Sequence, residues 1–247
     1  MILRRLADNL RAQNWTAITI EFVLLVVGVF LGIQVANWNE DRQQAARQAN
    51  YLERLRVDFV GVRDRIQEHF TVYRKTLEGT EYLLSLVNAS PADPQHGEID
   101  DALIEQGFNG MMSLRIPPPL PATYVEMRSE GQLSYIANPQ LRDELAEYDR
   151  LLGVLQEVSR ITADNLIQQA PIVRRHFLSR TTRDGEALSG IRDELIDYDL
   201  DGMRADREFV VAVGLVERYA INSLGQREIQ LALIEKILAL IEQERQP

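Results

Sequence analysis

Apolar residues run unbroken by charge from Phe22 to Ile33, inside a longer stretch, Thr16 to Asn37 (TAITIEFVLLVVGVFLGIQVAN), whose only charge is Glu21. As a helix rising about 1.5 Å per residue, 22 residues span about 33 Å, close to the hydrocarbon thickness of a bilayer. The pattern then changes. Leu52, Leu55, Phe59, Val62, Ile66, His69 and Tyr73 recur in alternating steps of three and four. That is a coiled-coil-like seam on a long helix, which can run on from the membrane helix. The seam drifts toward Leu77, Leu84 and Val87, and the chain has no proline between Asn39 and Pro91.

Ser90 to Gly97 reads as a surface loop. Ile99 to Gln106 predicts a short helix, Gly107 to Pro121 an irregular stretch, and Pro121 to Glu130 a second short helix with Gly131 as its stop. Asn138-Pro139 is a helix start, Asn as cap and Pro in the first turn. Leu141, Leu145, Tyr148, Leu151, Leu152, Leu155 and Val158 form one stripe on the helix that follows, and Pro171 ends or kinks it. Arg180 to Gly185 predicts a turn and Ser189 to Tyr198 a short helix. Asp206 to Phe209 opens a further helix, and a final one covers Arg227 to Glu244. The fold expected is all-α: an N-terminal transmembrane helix, then an extracytoplasmic helical bundle with long coiled-coil-like helices.

Three domains follow: a cytoplasmic segment 1–15, the membrane helix 16–37 and the extracytoplasmic domain 38–247. The only two tryptophans, Trp15 and Trp38, bracket the span as membrane-interface anchors. The apolar run is longer than the ~7–15 residues of a cleaved leader, and cleavage after Ala36 would place Gln34 where a small residue is wanted. The reading is an uncleaved signal anchor. Nearby arginines tie in number, Arg4, Arg5 and Arg11 against Arg42, Arg47 and Arg54. The first three face fewer acids, which favours a cytoplasmic N-terminus and a periplasmic or extracellular C-terminal domain.

Gly28, Gly32 and Ala36 repeat at four-residue spacing, and Glu21 lies seven residues before Gly28, near the same stripe. Small residues on one stripe let two helices approach closely. An ionised Glu21 facing lipid costs at least a few kcal/mol, so it faces another helix, is protonated or snorkels to the interface. Glu21, Gly28, Gly32 and Ala36 are therefore candidates for a helix–helix contact in the membrane. The bland reading is that glycines are common in such helices and that Glu21 sits near the head groups.

Composition narrows the function. With 27 basic and 37 acidic side chains the net charge is −10, which argues against nucleic acid as the partner. The absence of cysteine excludes disulfides, thiolate nucleophiles and Cys-ligated metal. His69, His96 and His176 lack metal-ligand spacing, and no nucleophile-elbow or phosphate-loop motif occurs. An enzyme is not expected, and no cofactor or metal is assigned. One segment does match a calcium loop: Asp197, Asp199, Asp201, Gly202 and Glu208 fit D-x-D-x-D-G-x5-E. Leu200 and Arg204 fit it poorly, and Asp206 and Glu208 also read as first-turn acids of a helix.

A resemblance adds to this. The block GIQVANWNEDRQ (Gly32 to Gln43), closing a helix that opens with Ile20-Glu21, resembles the N-terminal signature of an uncharacterised family of bacterial single-pass membrane proteins, a domain of unknown function. Thr123 to Glu126, Ser129 to Leu133, Ile136 to Asn138 and the Leu141…Tyr148 helix are similar to that family's central motif, with Glu130 where relatives carry a small residue. Asp206-x-Glu208-Phe209 before a Leu/Ile-rich helix also fits. The resemblance implies architecture, with a place in the inner membrane of a bacterium, and no activity. The expected role is a membrane-anchored scaffold or accessory subunit that binds the lipid bilayer and either forms a homo-oligomer or engages another membrane protein. The alternative is a ligand-sensing or calcium-binding ectodomain signalling through a partner membrane protein.

Overall fold

The computed structural model describes residues 15–89, 99–111, 113–183 and 191–245. Among these it has six α-helices: α1 (Trp15–Asn88), α2 (Asp101–Met111), α3 (Ala122–Ser129), α4 (Pro139–Arg174), α5 (Leu200–Ala205) and α6 (Arg207–Arg245). A 3-10 turn (Gln132–Tyr135) follows α3, and the strands β1 (Phe177–Arg183) and β2 (Ile191–Tyr198) lie between α4 and α5. Arg4, Arg5 and Arg11, the expected loop 90–97, and Asp184, Gly185 and Ser189 lie outside the described residues. The chain forms two compact units, residues 1–53 and 54–247.

In the first unit, α1 is helical from Trp15 with its apolar side chains open to the surroundings. Leu24 is 65% exposed and Phe30 58%. No part of its most apolar window is buried, and it is long and apolar enough to cross a membrane.

The second unit is built as the seam spacing requires. Leu55, Phe59, Val62, Ile66 and Tyr73 are all buried, because steps of three and four keep them on one side of a 3.6-residue helix. Phe59 meets Tyr148 of α4 edge to face, with centroids 5.3 Å apart. Helices α4 and α6 pack along their lengths. Leu141, Leu145, Leu152 and Leu155 of α4 and Ile234, Ile237 and Ile241 of α6 are buried. Beyond Tyr73 the buried face of α1 carries Thr76, Thr80, Leu83, Leu86 and Val87, whereas Leu77 and Leu84 are only half-buried. The threonines are tolerated there because each hydroxyl bonds back to its own helix, Thr76 to Val72 O at 3.0 Å and Thr80 to Thr76 O at 2.8 Å.

Helix α2 crosses this stretch at backbone contact. A Cβ added at Gly79 would lie 2.3 Å from Gly107 N, and one at Gly110 would lie 2.8 Å from Thr76 Oγ1. Here α2 runs five residues past the expected end at Gln106, to Met111, because Gly107, Phe108, Gly110 and Met111 are buried. Helix α3 starts after Pro121, and its Thr123 N–H donates to Asp58 Oδ2 of α1 at 2.9 Å. Gly131, at φ 71°, supplies the left-handed turn that stops it. Asn138 caps α4 as expected, accepting from Gln140 N at 2.9 Å and Leu141 N at 3.4 Å. The helix then runs three residues beyond Pro171, to Arg174, held by buried Val173.

Two expectations fail between α4 and α5. Where the structure describes them, Arg180–Arg183 of the expected turn and Ile191–Tyr198 of the expected helix are instead strand, in β1 and β2, an antiparallel pair from Phe177↔Tyr198 to Arg183↔Ile191, with an irregularity at Leu178/Ser179. Cross-strand pairs outweigh the local helical preference of IRDELIDY. Arg180 reaches Glu194 at 2.8 Å, Thr181 Oγ1 donates to Asp193 at 2.7 Å, and Arg174 reaches Asp193 at 2.5 Å. The six helices are consistent with the all-α expectation, and the hairpin is the small amount of strand among the described residues. The separate final helix at Arg227 is also corrected. Helix α6 is continuous for 39 residues, its Gly225 spanned by a row of buried Ala220, Arg227 and Gln230.

Candidate functional site

Three groups of residues bear on function, and each belongs to one of the two units. On α1 of the first unit, Gly28, Gly32 and Ala36 lie one above another at four-residue spacing, and nothing approaches within 4 Å of a Cβ built at either glycine. Glu21 is half-buried, and its Oε2 meets no donor among the described residues. Trp15 and Trp38 are exposed at the two ends of the apolar stretch.

The second group is a polar layer inside the bundle. Arg227 is 1% exposed and sits on the seam of α6, where Ala220 and Ile234 precede and follow it seven residues away. Its Nη1 donates to Gln230 Oε1 at 2.8 Å and its Nη2 to the Arg115 carbonyl at 3.3 Å. Gln230 Nε2 donates onward to Tyr148 Oη at 3.0 Å. Tyr73 Oη donates to the Arg115 carbonyl at 3.2 Å and accepts from the Arg115 N–H at 3.1 Å. Among the described residues Arg227 Nε and, on the α1 seam, His69 Nδ1 are enclosed without a hydrogen bond, while the Tyr73 hydroxyl bears on the Arg227 guanidinium. Burial, then the charges of Arg227, Arg115 and Arg65, lowers the His69 pKa from 6.5 to about 4, so its ring is neutral at pH 7. Burial also lowers the Arg227 pKa and raises that of Tyr148. A buried guanidinium is costly unless compensated. No ion pair to a carboxylate holds Arg65, Arg115 or Arg227 among the described residues. A cavity of about 90 Å³ adjoins the layer at Tyr73, lined also by Ser159, Thr162, Tyr219, Ser223 and Gln226.

Sequence reasoning set His69 on the seam and took Arg227 as the start of a final helix. The missed signal is periodic. Val213, Val216, Ala220, Arg227, Gln230, Ile234, Ile237 and Ile241 are all buried at spacings compatible with one face, and two of those positions are polar.

The third group is the segment Asp197–Glu208, and its carboxylates are not brought together. Asp199 caps α5, accepting from Gly202 N at 2.9 Å, and Asp201 pairs with Arg204 at 3.2 Å. Asp206 caps α6, accepting from Glu208 N at 3.0 Å and Phe209 N at 3.2 Å. It also meets His176 Nε2 at 2.7 Å and Arg175 Nε at 2.8 Å. The His176 bond is the main reason its pKa falls below the ordinary carboxylate value. Glu208 reaches Arg175 at 2.8 Å. A strand end, a short helix and the start of a long one fan these side chains apart, so the calcium spacing in sequence is not a calcium shell in space. Among the described residues, no three His, Asp or Glu side chains are grouped to hold a metal ion. The cluster instead ties the end of α4 to the start of α6.

No family model, no curated protein and no solved structure matches the chain, so its fold and these three groups are what its function is read from.

Proposed function

We propose that the protein is a single-pass membrane anchor presenting a helical bundle, and that it serves as a non-catalytic scaffold or accessory subunit. The observation that carries this reading is the open apolar stretch of α1. Soluble monomers rarely leave a contiguous apolar patch larger than a few hundred Å² in water. Here every large side chain from Phe22 to Ile33 is about half exposed or more. A bilayer removes that surface from water and leaves every backbone group of the span bonded within its own helix. Arg4, Arg5 and Arg11 ahead of the span favour an N-terminus in the cytoplasm and a bundle outside it. The N-terminal signature Gly32–Gln43 supports membership of the uncharacterised bacterial family it resembles.

The anchor makes a specific contact as well. Open space at Gly28 and Gly32 and the unmatched carboxyl of Glu21 support a second helix, from another copy or from another membrane protein, lying along Glu21, Gly28, Gly32 and Ala36. Gly28→Leu blocks close approach. The crosslinked oligomer or co-purified partner seen with wild type is then lost, whereas an anchor without a partner leaves the pattern unchanged. Membrane insertion is tested by alkaline carbonate extraction, which leaves an integral protein in the pellet. Because the chain has no cysteine, one introduced near the C-terminus reports its side of the membrane by labelling intact cells.

A further inference from the structure

We propose that the cavity between α1 and α2 is a binding site for a small zwitterion, a molecule with one primary ammonium and one carboxylate, of the size of an amino acid or a dipeptide. The cavity holds about 340 Å³ and is lined by Lys75 of α1, by Glu105, Gln106 and Asn109 of α2, and by Ser113 and Arg115 just beyond α2. That volume lies at the small end of ordinary ligand sites. The two walls are tied together: Gln106 Nε2 donates to the Lys75 carbonyl and to Glu78 Oε2, both at 3.0 Å. Arg115 is held through its backbone. Tyr73 Oη donates to its carbonyl at 3.2 Å and accepts from its N–H at 3.1 Å, and buried Arg227 donates to the same carbonyl at 3.3 Å. Leu114, between Ser113 and Arg115, lines the separate 90 Å³ cavity, so this segment turns alternate side chains to opposite sides. The polar layer thus sets Arg115 at the α1–α2 cavity while leaving its guanidinium uncommitted.

Charge identifies the ligand. Lys75, Arg115 and Glu105 line one cavity, yet among the described residues none of their side chains forms a hydrogen bond or an ion pair. Elsewhere in the bundle such groups do pair. Lys236, the only other lysine, meets Glu144 at 2.5 Å, and Arg175 meets Asp206 at 2.8 Å. Two cations and an acid that share a cavity without pairing leave room for a molecule with the charges reversed. Its carboxylate would take Arg115 and Lys75, and its ammonium would take Glu105. A simple anion would meet the Glu105 carboxylate, and a simple cation would meet two positive charges; a zwitterion avoids both repulsions. Glu105 lies one turn of α2, about 6 Å, before Asn109, and Arg115 lies past the end of the helix, so the charges are spread along the cavity. Over that length the Asn109 amide and Gln106 Oε1 are open, and they suit the N–H and C=O of a peptide bond.

The proposal is independent of membrane anchoring, and the two fail by different measurements. The full chain, purified in an uncharged maltoside detergent, is titrated calorimetrically at pH 7 and fixed ionic strength. The probes are alanine, dialanine, N-acetyl-dialanine and dialanine amide. Dialanine gives saturable heat, and blocking either of its charged ends weakens binding about tenfold. Alanine binding as tightly as dialanine identifies a free amino acid as the ligand, and weaker alanine binding identifies a peptide. The variants test each end separately, at positions that are exposed or half-buried. In Lys75→Gln/Arg115→Gln the amide binds as well as dialanine, while the N-acetyl form stays weaker. In Glu105→Gln the N-acetyl form binds as well as dialanine, while the amide stays weaker. The proposal is overturned if neither alanine nor dialanine gives saturable heat, if a blocked form binds wild type as tightly as dialanine does, or if either variant keeps the wild-type preferences.

Discussion

At Gly79 and Gly107 a hydrogen in place of a side chain lets two helices touch through their backbones. An added methyl has nowhere to go, since it would meet backbone atoms 2.3 Å away at Gly79 and 2.7 Å away at Gly107. Gly79→Ala is expected to cost about 2–3 kcal/mol in urea melts, through overpacking. Gly61, on the same helix, has nothing within 4 Å, and Gly61→Ala is expected to stabilise by about 0.5–1 kcal/mol. Opposite signs from one substitution in one helix separate the packing effect from helix propensity. His69 gives a second prediction. Its folded pKa is about 4 against 6.5 ordinarily, so between those values the unfolded chain binds a proton that the folded one refuses. Its contribution is complete above pH 6.5, declines as pH falls toward 4 and is flat below. His69→Gln removes that part of the slope of stability against pH.

At the scale of elements, the seam of α1 was legible from Leu55 to Tyr73 because apolar spacing alone determines which side of a helix is buried. The start of α4 was legible because Asn138-Pro139 satisfies its first N–H groups locally. What failed depends on partners distant in the chain. Thr76 is buried where Gly110 of α2 arrives, so a search for apolar residues selected Leu77 and Leu84 instead. Arg227 escaped because a polar residue inside a seam reads as a boundary. The hairpin was missed because Ile191–Tyr198 has good helix formers, and its strand form is secured by Arg174, Arg180 and Thr181 from the preceding segment. Asp193 is the centre of that arrangement, meeting both Arg174 and Thr181. Asp193→Ala is expected to cost about 1–2 kcal/mol and to lower hydrogen-exchange protection across β1 and β2 before the rest of the bundle.

At the scale of the whole molecule, the sequence revealed where apolar surface lies: a stretch of α1 open along its length, and a bundle closed around α1, α4 and α6. The candidate contact on Gly28 and Gly32 was visible as spacing, whereas the polar layer of the bundle emerged only when four separate segments were placed together. Short elements depend on this framework. Helix α3 has eight residues, too few to hold a helix in water, and it opens after a proline with no side-chain cap of its own. Its first turn is completed by Asp58, 65 positions earlier in the chain, and Arg54 of the same helix pairs with Glu126. Assembly is therefore ordered: the long helices must dock before α3 has any reason to coil. A peptide of residues 117–137 is expected to show no helical circular dichroism alone. During refolding, the amides of Val125 to Ser129 should become protected after those of the α4–α6 pair, and Asp58→Ala should delay them further.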